Sequence, residues 1–134
     1  MGSGDDVSER HRAVATALFE EAFTRRRFEN VEALLGEYRL HVGGATLDLG
    51  PGDLEELVAR WHAAFANFRF EIHQVLADRE IAAVHATLHG EHVGEWRGLP
   101  PTGAPHAARH MFFIRFAEDR IVEVWELNDA EGLP

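Results

Sequence analysis

The sequence predicts an α+β fold, with helices in the first half of the chain and an antiparallel sheet in the second. Apolar residues recur at the three- and four-residue spacing of helices up to Asn67, and after it they alternate at the two-residue spacing of strands. Short turns separate the alternating segments, as in antiparallel sheets. We therefore expect the helices to cover one face of a curved sheet.

Three helical patterns fill the first half. Ser8 is placed to cap a helix that ends near Arg27, and a short helix is predicted over residues 29–35. The clearest pattern is "GPGDLEELVARWHAAFANF", where Asp53 and Glu56 have the spacing of a capping box and the apolar residues form one stripe.

The strands follow from alternation and turn chemistry. "EYRLHVGG" predicts a short strand that stops at two glycines, and "RFEIHQVLA" and "IAAVHATLHGEHVGEW" predict two long strands around the turn "DRE". "GLPPTGAP" is a loop, because adjacent prolines do not fit inside a sheet. The segment "RHMFFIRFAEDRIVEVWELND" predicts a final hairpin.

Length and composition limit the classes of function. The 134 residues suit one domain, which we place at residues 7–134 after a disordered N-terminus or tag remnant at residues 1–6. A net charge of −10 argues against nucleic acid and anionic membranes as partners. Without cysteine there is no thiolate ligand or cysteine nucleophile. We find no signal peptide and no apolar run of 18 residues, so we expect a cytoplasmic protein.

The final hairpin raises the question of function, because its apolar returning strand contains both Glu123 and Glu126. A two-residue turn would place Met111 opposite Glu126. A three-residue loop, with Asp119 in the left-handed conformation, would place His110 opposite Glu126. The choice of loop therefore decides which side of the sheet each glutamate faces.

The three-residue loop gives the more reasonable division of residues between the two faces of the sheet. Glu123 then lies near Arg115, an ion-pair partner, whereas Glu126 lies beside His110 at the end of an apolar wall. We predict that Glu126 is the functional acid. A glutamate near a strand end can also point to water, and the pattern alone leaves that interpretation open. The predicted wall consists of His110, Phe112, Ile114, Phe116, Val122, Val124 and Glu126.

Three stretches together resemble the SnoaL-like polyketide cyclases, or ester cyclase family, of the nuclear transport factor 2-like superfamily. They are "AFANFRFEI", "EHVGEWRGLPPTG" and "FIRFAEDRIVEVWELND". The resemblance covers residues 65–133 and implies a cone-shaped α+β barrel that encloses an apolar pocket. It also implies ring closure of polyketides in antibiotic biosynthesis by general acid/base catalysis, without a cofactor, in a homodimer.

The resemblance also assigns roles to residues. The family's acid is an Asp directly after the Trp of the last strand, and Glu126 follows Trp125 here. Polar pocket residues of the family fall on His110 and on Phe112, which should make this pocket drier. An early family histidine corresponds to His41. Fold follows from such a resemblance more securely than reaction does.

A carboxyl beside an imidazole on an apolar wall can take a proton from an activated methylene and return one to a carbonyl. We expect a hydrophobic, polyketide-derived small molecule as substrate, shaped by a pocket lined by Trp61, Phe65, Phe112 and Val124. Epoxide opening is the alternative chemistry, for which Asn128 lies close by but Arg109 faces outward. A non-catalytic binding domain is the third possibility.

The nine histidines prompt the question of a metal site. His85 and His89 share a strand face, but four residues of strand separate them by about 13 Å, which is too far for one ion. Zinc needs three or four converging ligands. We therefore expect no metal and no cofactor.

Overall fold

A computed structural model describes residues 3–32, 34–96 and 98–129. Its helices precede and flank the first strands. They are α1 (Ser3–Ala17), a π-helical segment that continues it (Leu18–Thr24), α2 (Glu29–Glu32) and α3 (Asp53–Ala64). The strands are β1 (Tyr38–Val42), β2 (Ala45–Leu49), β3 (Phe65–Ala77), β4 (Ile81–His92), β5 (Pro105–Ala117) and β6 (Arg120–Asn128).

The first helix begins earlier than predicted. It starts at Ser3, so Ser8 lies inside α1 rather than at its N-cap, and residues 3–6 belong to its first turns. Met1 and Gly2 lie outside the described residues. The π-helical segment ends at Thr24, because the chain leaves the helical conformation at Arg26, whose φ is 60°. The domain limits at residues 7–134 stay a prediction.

The six strands form one curved sheet in the order β2-β1-β6-β5-β4-β3, which does not close into a barrel. The α+β prediction and the curved sheet are confirmed. Two details differ from expectation. β1 pairs with β6 in parallel, so the sheet is mixed, and β2 was not predicted because its residues are mostly exposed and lack a buried face.

The helices cover one face of this sheet, which we call the inner face. Alternate residues of β4, β5 and β6 are buried there, and Phe19 of the π-helical segment packs between Phe70 and Phe112, with ring centroids 5.2 and 4.5 Å away. Phe19 and Ile114 are almost fully buried. The core therefore lies between the N-terminal helix and the long strands.

The start of α3 corrects the predicted capping box. Its N-cap is Gly52, whose φ of 89° suits a residue without a Cβ, and no side chain caps the helix. Asp53 is the first helical residue, and its Oδ2 accepts the backbone N–H of Gly50 at 2.7 Å. The carboxylate thus closes the turn before the helix rather than capping it.

Candidate active site on the inner face

The β5–β6 hairpin has a register that neither predicted loop gives. A two-residue turn at Glu118 and Asp119, both with positive φ, joins the strands and pairs Ala117 with Arg120. A bulge then occurs, since Phe116 pairs with Ile121 but Arg115 pairs with Glu123.

Val122 is the extra residue of this bulge. It is half-buried, and Ile121 takes the fully buried place that the prediction gave to Val122. Beyond the bulge the alternation returns to the predicted parity. The predicted loop was wrong, yet Glu126 still lies on the inner face, because one bulge residue replaces the one extra loop residue.

Glu126 lies opposite Phe112, not opposite His110, which faces Asn128. His110 is diagonal to Glu126, and its Nδ1 lies 3.3 Å from Glu126 Oε2. Both side chains are buried, with 5% and 7% of their surface exposed. The sequence therefore predicted the meeting of the two groups but not the register that produces it.

The pair formed by His110 and Glu126 can still form hydrogen bonds to a third group. His110 Nδ1 is buried and, within the described part of the chain, forms no hydrogen bond. The imidazole stacks on Phe112 with centroids 5.5 Å apart, and its edge faces Phe70. Asn128 Nδ2 donates to Glu126 Oε2 at 3.3 Å, so the acid has a polar neighbour on each side.

A small apolar cavity of about 30 Å³ adjoins the acid. Glu126 is the acidic group in its wall, which otherwise consists of apolar and aromatic side chains. Such a volume holds one small chemical group, far less than the roughly 300 Å³ at which ligand pockets begin. The wall is formed by Leu18, Phe19, Phe23, Leu35, Tyr38, Leu40, Leu54, Leu57, Trp61, Phe112, Val124 and Glu126.

A larger opening of about 650 Å³ also borders Glu126, at the end of β1. It runs past the turn at Gly43 and Gly44 and along the outer face of the sheet, where Phe113 and Trp125 line it. Glu126 therefore borders both the open groove and the interior cavity.

Three of the predicted substrate-binding residues line the cavity with Glu126. They are Trp61, Phe112 and Val124. Phe65 lies elsewhere, because it packs against His92 and His106 with centroids 5.5 and 5.3 Å away. Phe65 is the first residue of β3 and directly follows the end of α3.

His41 is on the outer face, where it lines the open groove that borders Glu126 and not the interior cavity. Its Nε2 meets Glu123 Oε2 at 2.5 Å, its Nδ1 lies 3.0 Å from Thr46 Oγ1, and its ring stacks on Trp125. Arg115 donates to Glu123 Oε1 at 3.0 Å, as predicted. The His41 hydrogen bond, followed by Arg115, holds the pKa of Glu123 below its usual value.

Tyr38 lines the cavity and was not predicted. The alternation of "YRLHV" contains the signal, because Tyr38 shares its parity with the buried Leu40, and His41 shares that of the exposed Arg39. Burial, followed by the charge of Asp53, raises the pKa of Tyr38 to about 12. Its hydroxyl thus stays protonated at neutral pH.

The described residues contain no candidate metal site and no candidate membrane span. Across the described ranges, no three His, Cys, Asp or Glu side chains converge as a metal site would require. No helix in the same ranges is long and apolar enough to cross a bilayer. His85 and His89 lie half-buried on the outer face, and His89 pairs with Glu71 at 2.9 Å.

Comparison with known proteins agrees with this fold. The family model of the SnoaL-like polyketide cyclases matches residues 13–133. No curated protein sequence matches the chain. A proposed SnoaL-like polyketide cyclase from Jannaschia sp. CCS1 superimposes with a TM-score of 0.76 and 16% identity, over 96% of each chain.

Two further solved structures share the architecture. AclR of Streptomyces galilaeus, a proposed hydroxylase, gives a TM-score of 0.75 at 18% identity, over 92% of this chain and 81% of its own. A proposed ketosteroid isomerase from Kribbella flavida DSM 17836 gives 0.70 at 18% identity, over 99% and 86%. At such identities the likeness shows the fold.

Proposed function

Because the chain belongs to the SnoaL-like polyketide cyclase family, we propose that it is a cofactor-independent cyclase that closes a ring in a hydrophobic, polyketide-derived molecule. Glu126 acts as the general acid/base and His110 assists it. The observation that supports this most is a buried carboxylate in contact with a buried imidazole, at the edge of an otherwise apolar cavity.

The proposed reaction is an intramolecular aldol closure. The Glu126 carboxylate takes a proton from a methylene that lies between two carbonyls. The resulting enolate carbon then attacks another carbonyl, further along the same molecule. The protonated Glu126 then returns its proton to the new alkoxide, so the carboxylate is regenerated. Proton transfer of this kind contributes about 10²- to 10⁴-fold, and holding the chain in a folded pose contributes further.

His110 lies 3.3 Å from the acid and Asn128 donates to the same carboxylate oxygen. These contacts orient the carboxylate so that its other oxygen, Oε1, is available to the substrate. Phe112 and Val124 exclude water from the reacting carbon on the same face. The open groove at the end of β1 provides room for the rest of the substrate.

Deuterium exchange tests the acid/base role without knowledge of the natural substrate. A series of β-keto esters is incubated in D₂O, and exchange at the central methylene is followed by NMR. We expect the wild-type protein to accelerate exchange for the esters that fit and Glu126→Gln to lose about 10²- to 10⁴-fold of that acceleration. Glu123→Gln is the matched control, because it changes the other glutamate of β6. Equal rates for wild type and Glu126→Gln would refute the proposal.

The alternative of epoxide opening is less well supported. The cation that would complete its polar network, Arg109, pairs instead with Asp129 at 2.6 Å in an exposed position. Asn128 remains next to Glu126. The geometry therefore favours proton transfer from a methylene.

We also propose that the chain is a cytoplasmic homodimer that associates through the outer face of β5 and β6. Met111, Phe113 and Leu127 expose 57%, 57% and 75% of their surface there. Phe113 and Leu127 also line the groove, so the partner subunit would cover the part of the substrate that lies in it. Phe113→Glu should convert a dimer to a monomer in sedimentation velocity, whereas Leu76→Glu, on the edge strand β3, should not. A monomeric wild-type protein would exclude this arrangement.

A further inference from the structure

Trp61 has a buried hydrogen-bond donor with no acceptor. Its side chain is 7% exposed, and its indole Nε1 forms no hydrogen bond with any described residue. A buried donor without a partner destabilises a protein, and most such groups in proteins are satisfied. The unpaired indole N–H of Trp61 is therefore an unusual feature.

The aromatic side chains around Trp61 hold its ring in place but provide no hydrogen-bond acceptor for its N–H. The ring packs against Phe23, Phe68, Phe70 and Trp96, with centroids 5.4 to 6.0 Å away. These contacts fix the orientation of the indole. The donor is thus a rigid, preorganised group rather than one free to turn toward water.

Trp61 also lines the small cavity that adjoins Glu126. The cavity therefore has an acid in its wall and a tryptophan whose donor is unpaired, and the rest of the lining is almost entirely apolar. Its volume of about 30 Å³ suits a single carbonyl group and not a whole substrate. The larger groove, which also borders Glu126, has room for the bulk of a ligand.

We infer that this cavity is a carbonyl subsite in which Trp61 Nε1 donates a hydrogen bond to a substrate oxygen beside Glu126. The inference rests on the proposed function, and it specifies the substrate class as a ketone with an apolar body. Negative charge that develops on that oxygen when the neighbouring carbon loses a proton strengthens the same hydrogen bond. Trp61 then selects and positions the carbonyl while Glu126 moves the proton.

NMR of the indole N–H groups tests this directly, since the chain has three tryptophans. Trp96→Phe and Trp125→Phe assign two of the three ¹⁵N-indole signals and leave that of Trp61. The wild-type protein is titrated with cyclohexanone and with methylenecyclohexane, which has the same shape but no acceptor. We expect cyclohexanone to move the Trp61 indole proton downfield in a saturable manner and methylenecyclohexane not to.

Affinities measured on the methyl signals of Val124 give the second readout. Trp61→Phe should bind cyclohexanone about tenfold more weakly than the wild type and methylenecyclohexane with unchanged affinity. Leu76→Ala, an exposed control on β3 that lines neither the cavity nor the groove, should change neither affinity. The same Trp61 shift with both ligands, no shift with cyclohexanone, or unchanged ketone affinity in Trp61→Phe would overturn the inference. The shift in the wild type decides the matter even if Trp61→Phe does not fold.

The acid/base function and the carbonyl subsite can be refuted independently of each other. If the indole shift is present but Glu126→Gln exchanges β-keto ester protons as fast as wild type, the acid/base function is wrong and the carbonyl subsite stands. If exchange depends on Glu126 but the indole proton does not respond to the ketone, the subsite is wrong and the function stands.

Discussion

Glu123 and Glu126 lie three residues apart on one strand and occupy opposite faces of the sheet. Glu123 holds His41 and Arg115 on the outer face, whereas Glu126 contacts His110 in the interior. The two glutamates therefore have different tasks. One stabilises a junction between β1, β5 and β6, and the other is available for chemistry.

Glu123 makes the fold sensitive to acid. Its pKa in the folded protein is lowered by the His41 hydrogen bond and by Arg115, so its contribution to stability is present above its usual value of 4.5 and is lost as the pH falls through the lowered pKa. We expect Glu123→Gln to melt about 1–3 °C below wild type at pH 7 and to match it at strongly acidic pH.

Thermal melts from pH 7 downward, followed by circular dichroism, check this expectation. Glu9→Gln, an exposed residue of α1, is the control and should stay close to wild type throughout. A difference between Glu123→Gln and wild type that stays constant with pH would show that packing, not the charge of Glu123, is responsible.

Gly94 is required where the end of α3 meets the chain after β4. A Cβ added at this position would lie 2.4 Å from the carbonyl oxygen of Ala63 and 3.2 Å from the Ala64 Cα. Backbone atoms cannot move away as a flexible side chain can. We expect Gly94→Ala to lower the free energy of unfolding by about 2–3 kcal/mol in urea titrations.

Gly50→Ala is the matched control for that change. Its nearest new neighbour would be Asp53 Oδ2 at 3.9 Å, an ordinary contact. We expect an effect within about 0.5 kcal/mol. Equal losses for both alanine variants would show that the contact with Ala63 is not what destabilises Gly94→Ala.

The turn between β5 and β6 contains a strained residue. Glu118 has a φ of 53°, a conformation that asparagine adopts more readily than glutamate does. We expect Glu118→Asn to raise the free energy of unfolding by about 0.5–1 kcal/mol. Glu80→Asn, in a turn without positive φ, should give no gain, and an equal gain there would point to a general effect of removing negative charge.

The sequence predicted the inner face of the hairpin but not its register, and the reason is physical. Alternation reports which side a residue faces, and a bulge at Val122 restores that parity after a shorter turn. Nothing in the local pattern distinguishes this from a longer loop. The meeting of His110 and Glu126 could therefore be predicted, but not their diagonal arrangement.

His41 illustrates the opposite case. The resemblance to the family suggested a pocket residue, whereas the alternation of β1 places it with Arg39 on the outer face. Phe65 was expected to line the pocket, but the strand begins at that residue and its ring packs against His92. Local periodicity was reliable within elements and failed where one element ends and another begins.

His11 connects α1 to two turns of the sheet. Its side chain is 3% exposed, and the ring stacks on Phe116 with centroids 3.9 Å apart and planes 3° apart. Its Nε2 meets Asp119 Oδ1 at 2.9 Å, and its Nδ1 meets the Asp78 carbonyl at 3.3 Å. The ring thus contributes both packing and polar contacts. Two substitutions can measure separately how much each contributes to the free energy of unfolding.

We expect His11→Ala to lower the free energy of unfolding by about 3 kcal/mol, because it leaves a cavity the size of a ring. His11→Phe should cost less than about 1.5 kcal/mol, since the stack on Phe116 is kept and Asp119, whose side chain is 53% exposed, can turn to water. Urea titration of the three proteins measures both effects. If His11→Phe is as unstable as His11→Ala, the hydrogen bonds to the two turns, and not the ring stack, hold α1 on the sheet.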